Sequence, residues 1–297
     1  MELQLEVLLI LALLVASWGQ ESCSCATNKW TVCAQDELGS CTCRLVGSDR
    51  RVDCSTLTSK CLLMKAEMTP RKGKSFHNPG SRLVGNDGIY NPDCEDSGVF
   101  KARQCNPSGT CCWCVNSAGV RRTEQGDQSL SCGELIRTSW IYVELKHRMP
   151  CAFEDGQVAN ALEQLFQNRY KLHPKYVAGV RYDAPFIQIR LNQNDLEKSD
   201  SDVDIADVAY YFEKDIKNDS IFHANNKLNV SVNGKALDIE KILIYYIDEK
   251  PPQFSARRMI SGITVVVTVV TLTIIFGVTV LVILSWQQKR NYERVEI

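Results

Sequence analysis

The stretch Ile141-Tyr-Val-Glu-Leu-Lys146 sets Ile141, Val143 and Leu145 against Tyr142, Glu144 and Lys146. Successive side chains of an extended chain point to opposite faces, so this period of two predicts a strand with one face in a core and one toward water. Ile187, Ile189 and Leu191 repeat the pattern, and Asp183-Ala-Pro185 before them predicts a turn from a strand at Val177–Tyr182. Between these strands, Val158, Leu162, Leu165 and Phe166 fall at helical spacing behind the acidic pair Glu154-Asp155. A second helix carries Ile205, Val208, Ala209, Phe212 and Ile216, with Ser201-x-x-Asp204 placed to cap its start. Leu228, Val230 and Val232 then lead to Asn233-Gly234, the dipeptide that favours a two-residue hairpin turn, and Ala236–Ile239 run back. Ile242–Ile247 is the final strand. This order predicts an α+β domain over residues 133–255, its helices on one face of a mostly antiparallel sheet.

Upstream the composition changes. Of 14 cysteines, thirteen lie between Cys23 and Cys132, the last is Cys151, and none follows. That density in a secreted segment predicts a small disulfide-rich fold, in which bridges limit the entropy of the unfolded chain where the apolar core is small. Zinc is the competing use of cysteine, but Cys23-Ser-Cys25 and Cys41-Thr-Cys43 are C-x-C pairs, whereas common zinc knuckles are C-x2-C.

Two apolar runs set the topology. Val7–Trp18 has the length of a signal-peptide core, with Ser17 and Gly19 placed for cleavage, although Glu2 and Glu6 stand where a positive residue is usual. It predicts a signal peptide at residues 1–19. The run Ile260–Leu284 has no charge between Arg258 and Lys289, enough helix to cross a hydrocarbon core of about 30 Å. A transmembrane helix over 260–285 is predicted, with a cytoplasmic tail at 286–297 in which Lys289, Arg290 and Arg294 follow the span. The chain is therefore expected at the plasma membrane as a single-pass type I protein.

Motifs of catalysis are absent. The histidines His77, His147, His173 and His223 are scattered, and the sequence holds no H-E-x-x-H, G-x-S-x-G or glycine-rich phosphate loop, so neither an enzyme nor a cofactor or metal site is predicted. A net charge of −1 supplies no broad basic field for nucleic acid. The series Asp200, Asp202, Asp204 and Asp207 lacks the glycine and glutamate of a calcium loop; acids there suit the positive end of a helix dipole. Asn218-Asp-Ser220 and Asn229-Val-Ser231 are glycosylation sequons. Arg71-Lys-Gly-Lys74 sits in a Pro-, Gly- and Asn-rich stretch that predicts an exposed, protease-sensitive loop. Thr273-x-x-x-Gly277 is a small-residue pair in the span, and the terminal Val295-Glu-Ile297 has the character of a ligand for a PDZ-type domain.

The segment Tyr90-Asn-Pro-Asp-Cys94, Gly98-Val-Phe100, Gln104-Cys105, Cys112-Trp-Cys-Val115 and Cys132 is similar to a thyroglobulin type-1 repeat, with Cys61 as its first cysteine. Six cysteines, then this repeat (61–132), then Val203-Asp-Ile-Ala-Asp-Val-Ala-Tyr-Tyr-Phe-Glu-Lys-Asp215, Leu243-Ile-Tyr-Tyr246 and one span resemble the family of the epithelial cell adhesion molecule, whose trophoblast cell-surface paralogue has the same layout. The resemblance implies an N-terminal cysteine module at 20–60 with bridges Cys23–Cys41, Cys25–Cys54 and Cys33–Cys43. In the repeat it implies Cys61–Cys94, Cys105–Cys112 and Cys114–Cys132. It also implies epithelial adhesion at lateral cell–cell junctions, contact with claudin-type membrane proteins, and stepwise proteolysis that frees the tail. It further implies a cis homodimer in which the loop Thr69–Ile89 docks on the partner's membrane-proximal domain. Cys111 and Cys151 lie outside the family's twelve cysteines: they bridge each other, pair between chains, or compete with Cys112 for Cys105. The tail is shorter than the family's usual one, and the sequons fall at other places. Two rival functions follow from the same features: inhibition of papain-like cysteine proteases through the repeat, and reception of a soluble ligand.

Overall fold

A computed structural model describes residues 23–37, 39–69, 90–148, 153–199, 201–223, 228–254, 267 and 269–285. The chain divides into two units, Met1–Pro252 and Gln253–Ile297.

In the first unit, β1 (Thr31–Gln35), β2 (Cys41–Leu45) and β3 (Arg51–Val52) make a three-stranded antiparallel sheet. Cys33 and Cys43 stand opposite each other on β1 and β2 and are bonded, so one bridge clamps the ladder across its register. Cys23–Cys41 and Cys25–Cys54 tie down the flanking chain. Next comes α1 (Lys60–Glu67), which buries Cys61, Leu63 and Ala66. The hairpin of β4 (Arg103–Cys105) and β5 (Cys112–Cys114) follows, stapled by Cys105–Cys112 at its register pair. Here the core is a small cluster of Cys61, Phe100, Trp113 and Val115, with Tyr90 edge-on to Trp113 at 5.3 Å. So small a core depends on Cys61–Cys94 and Cys114–Cys132 as well.

The third part of this unit is a four-stranded antiparallel sheet in the order β11 (Ile239–Asp248), β6 (Thr138–His147), β8 (Phe186–Asn192), β7 (Val177–Asp183). Ile141, Val143 and Leu145 of β6 and Ile187, Ile189 and Leu191 of β8 are all buried on one face. Two helices cover that face, α2 (Asp155–Tyr170) through Val158, Leu162, Phe166 and Tyr170, and α3 (Ile205–Ile216) through Ile205, Val208, Ala209, Tyr211 and Phe212. Aromatic rings interlock between and beside them, Phe166 with Phe212 at 5.2 Å and Tyr211 with Phe222 of the segment after α3 at 5.2 Å. The expected α+β architecture is present, with every strand neighbour antiparallel.

Local details differ from the periodicity. The N-cap of α3 is Asp204, whose carboxylate accepts from the Ala206 N–H at 2.9 Å, while Ser201 sits exposed in the turn before it. The hairpin at Asn233-Gly234 is short, β9 (Ser231–Val232) and β10 (Lys235–Ala236), extended by one further bond from Leu237 N–H to the Val230 carbonyl. Asn233 and Gly234 both take positive φ, 50° and 76°, as such a turn requires. The last strand begins at Ile239, three residues before the Ile242–Ile247 reading.

In the second unit, residues 269–285 are helical, and their described apolar side chains, among them Leu272, Ile275, Phe276 and Leu281, are exposed. Among the described residues no helix is long and apolar enough to cross a membrane. The expected span at 260–285 therefore coincides with a helix only in its described part. The expected signal peptide, the loop residues 70–89, Cys151, Asp200 and the tail lie outside the described residues.

Candidate protein-binding surface

Because α2 and α3 occupy one face of the four-stranded sheet, the side chains of opposite parity form its other face. Cross-strand register puts them in rows: Ile247, Trp140 and Asn192; then Tyr245, Tyr142 and Arg190; then Leu243, Glu144, Gln188 and Arg181; then Lys146, Phe186 and Asp183. Trp140 and Tyr142 stack with ring centroids 6.0 Å apart. Tyr142 is 37% exposed, Phe186 42%, Tyr245 53% and Ile247 46%, so this face holds four large apolar side chains in water, Tyr142, Tyr245 and Ile247 in adjoining rows and Phe186 beyond the row of Glu144 and Gln188. A wet sheet face ordinarily alternates to polar residues. A contiguous aromatic patch with a polar rim has the composition of a protein-binding surface.

The face is grooved as well as apolar. A depression of about 800 Å³ runs over Tyr142, Gln188, Arg190, Tyr245 and Ile247, and a smaller one of about 360 Å³ adjoins it over Glu144, Arg181, Asp183 and Phe186. Both signs of charge line them. Gly179 lies beside Arg190, and a Cβ at position 179 would come within 2.9 Å of the Arg190 guanidinium, so the glycine gives that group room on the sheet. Lys146 pairs with Glu240 at the rim, 3.3 Å apart. The surface offers rigid aromatic anchors with charged groups around them, a means of recognition rather than of bond breaking.

The other residues singled out in the sequence have different surroundings. Twelve cysteines form six bridges: Cys23–Cys41, Cys25–Cys54, Cys33–Cys43, Cys61–Cys94, Cys105–Cys112 and Cys114–Cys132. Sulfurs of Cys25, Cys43 and Cys54 lie within 4.8 Å of one another, but all three are disulfide-bonded and so are not thiolate ligands. Cys111 is half-buried and unbridged, directly before Cys112. Asn218 ends α3 in an exposed left-handed conformation, φ 58°, and Asn229 is exposed ahead of β9.

Each described acid of the Asp200–Asp207 series has its own task. Asp202 accepts from the Tyr176 hydroxyl at 2.6 Å, the Ser199 N–H at 3.0 Å and Lys175 Nζ at 3.0 Å, and these bonds, Tyr176 foremost, hold it below the usual carboxylate range. Asp204 caps α3 and pairs with Lys198 at 2.8 Å. Asp207 reaches out of its domain to accept the Lys60 N–H at 2.7 Å, the first N–H of α1. Ser59, the N-cap of α1, makes no capping bond; its hydroxyl donates to the Gly98 carbonyl at 2.8 Å. The cap of one module's helix thus comes from another module's helix.

This contact belongs to a set of junctions that sequence reasoning missed. Tyr211 of α3 donates to the Thr27 carbonyl at 2.9 Å and accepts the Thr58 N–H at 3.2 Å. Lys60 Nζ donates to the Ala118 carbonyl at 2.7 Å and lies 4.8 Å above the Tyr246 ring. Lys214 pairs with Glu67 at 2.9 Å and Lys29 with Asp219 at 2.8 Å. Arg122 and Asp248 pair at 2.8 Å with both side chains at most 10% exposed. Partners so far apart in the chain leave no periodic trace.

Three family models match, consecutively along the chain. Residues 23–60 match "Epithelial cell adhesion molecule, N-terminal domain", residues 61–132 match "Thyroglobulin type-1 repeat", and residues 138–248 match "EPCAM/Trop-2, C-terminal". Tumor-associated calcium signal transducer 2 of Homo sapiens is 48% identical over 100% of this chain and 93% of its own length. Its Mus musculus counterpart is 52% identical over 89% of this chain and 85% of its own length. Epithelial cell adhesion molecule of Mus musculus is 45% identical over 97% of this chain and 93% of its own length. These relatives are named for adhesion and signal transduction, not for an enzymatic activity.

Proposed function

Since the chain belongs to the family of the epithelial cell adhesion molecule and Trop-2, we propose that it is a single-pass cell-surface glycoprotein that organises epithelial contacts by self-association, its outer sheet face being the docking surface. The observation that carries this reading is Tyr142 beside Tyr245, with Ile247 in the adjoining row, left in water on a sheet whose opposite face is covered by α2 and α3. A second copy supplies the occupant, by way of its loop at residues 69–89, which carries Arg71, Lys72, Lys74 and Arg82 as well as Asp87. Glu144, Asp183, Arg181 and Arg190 on the face suit a partner of mixed charge. Contact with claudin-type proteins, a PDZ-type partner at Ile297 and glycans at Asn218 and Asn229 complete the reading.

Sedimentation of the ectodomain across a concentration series, with and without reductant, tests it. A dimer is expected without reductant. Tyr245→Asp should weaken the dimer by about 30-fold or more, the effect of losing one aromatic anchor at the centre of an interface, with the unfolding temperature unchanged. A parent chain that stays monomeric at every concentration would overturn the proposal.

A further inference from the structure

Arg122 of the thyroglobulin-type module is 6% exposed, and its guanidinium makes three hydrogen bonds to the end of the neighbouring domain. Its Nε donates to Asp248 Oδ2 at 2.8 Å, and its Nη2 donates to the carbonyls of Lys250 at 2.5 Å and Pro251 at 2.8 Å. Asp248 Oδ1 accepts from Asn116 Nδ2 at 2.7 Å and Thr138 Oγ1 at 2.9 Å, so both carboxylate oxygens are filled. These bonds fall on the last residues of the first unit, which ends at Pro252. Arg122 itself is fixed by the disulfide-held hairpin: its N–H donates to the Cys114 carbonyl at 2.8 Å, and Cys114 is bridged to Cys132.

We propose that Arg122 is a latch that keeps the segment leaving the folded ectodomain closed to proteases, so that the state of the thyroglobulin-type module governs ectodomain release. A protease binds its substrate as an added strand, through the main-chain N–H and C=O groups on either side of the cut. At Lys250 and Pro251 the carbonyls are already engaged, and Pro251 and Pro252 have no N–H to offer. Cleavage there requires local opening, and its rate follows the population of the opened segment. A guanidinium is needed because one planar group must serve a carboxylate and two carbonyls; a lysine ammonium at the same place reaches fewer of them in fixed geometry. The latch operates within one chain and is independent of self-association.

The test uses the full-length chain in membranes, dosed with a protease of broad specificity such as proteinase K. The rate of ectodomain release is measured, and the new C-termini are mapped by mass spectrometry. Arg122→Gln is expected to raise cutting within residues 247–253 at least about tenfold. Arg122→Lys gives a smaller rise at the same bonds and serves if the glutamine variant does not reach the membrane. Lys29→Met breaks a junction that does not touch this segment and should leave the 247–253 cuts at the parent rate. An unchanged rate in both Arg122 variants, extra cuts scattered through residues 90–132 without a gain at 247–253, or an equal rise in Lys29→Met would each overturn the latch.

Discussion

Asp207 shows how one side chain can serve two helices. Burial, with the neighbouring Asp204 carboxylate second, pushes its pKa up to about 7, against the pull of the Lys60 N–H and the more distant Lys198 and Lys60 charges. A carboxyl that holds its proton more firmly when folded contributes stability that is complete below the ordinary carboxylate range and disappears as pH rises through about 7. Asp207→Asn keeps the cap and removes the titration. The difference in unfolding midpoint between variant and parent should therefore move in favour of the variant from about pH 5.5 to about pH 7.5, measured by denaturant titration. Asp202 and Asp219 have the opposite sign, since bonds from Tyr176 in the first and from Lys29 in the second hold them low against burial, and their contribution is lost only in stronger acid. Arg169 pairs with the fully buried Asp215 at 2.7 Å, so Arg169→Leu leaves a charge without its main partner and should cost about 3–5 kcal/mol in the same assay. The acids after Ser201 were legible in the sequence as the start of a helix. That Asp207 points at α1 was not, because its partner is 147 residues away.

At the scale of elements, legibility followed the strength of the period. The strands around Ile141 and Ile187 and the stripes of α2 and α3 read clearly because each presents a regular apolar face to one core. β1–β3, α1 and the β4–β5 hairpin had no such signature: they are two to eight residues long, their interior is built from cystines and single aromatics, and the resemblance to a known repeat identified them instead. Gly119 marks how tight that interior is. Its φ of +73° is unfavourable for other residues, and a Cβ would meet the buried Phe100 ring at 2.5 Å. Gly119→Ala should therefore destabilise the module by at least about 2 kcal/mol, seen as a lower thermal midpoint, whereas Gly133→Ala, with φ +61° but open space around it, costs only the backbone term of about 1–2 kcal/mol.

Across the whole molecule the junctions decide the behaviour. Tyr211, Lys60, Asp207 and the Arg122–Asp248 pair join the three parts of the first unit through largely buried polar contacts. Residues 23–252 should accordingly unfold in one calorimetric transition under oxidising conditions, with the van't Hoff and calorimetric enthalpies in agreement; separate transitions would show the modules to be independent. The sheet order adds a consequence for synthesis. β6 is made early and lies inside the sheet, yet its neighbour β11 is the last strand of the domain, separated from it by residues 148–238. Until β11 has emerged from the ribosome, β6 has one bare backbone edge, ready to pair with any other extended chain. A transcript or frameshift that stops before Ile239 would thus yield a sticky nascent product held back by chaperones, rather than a smaller working protein.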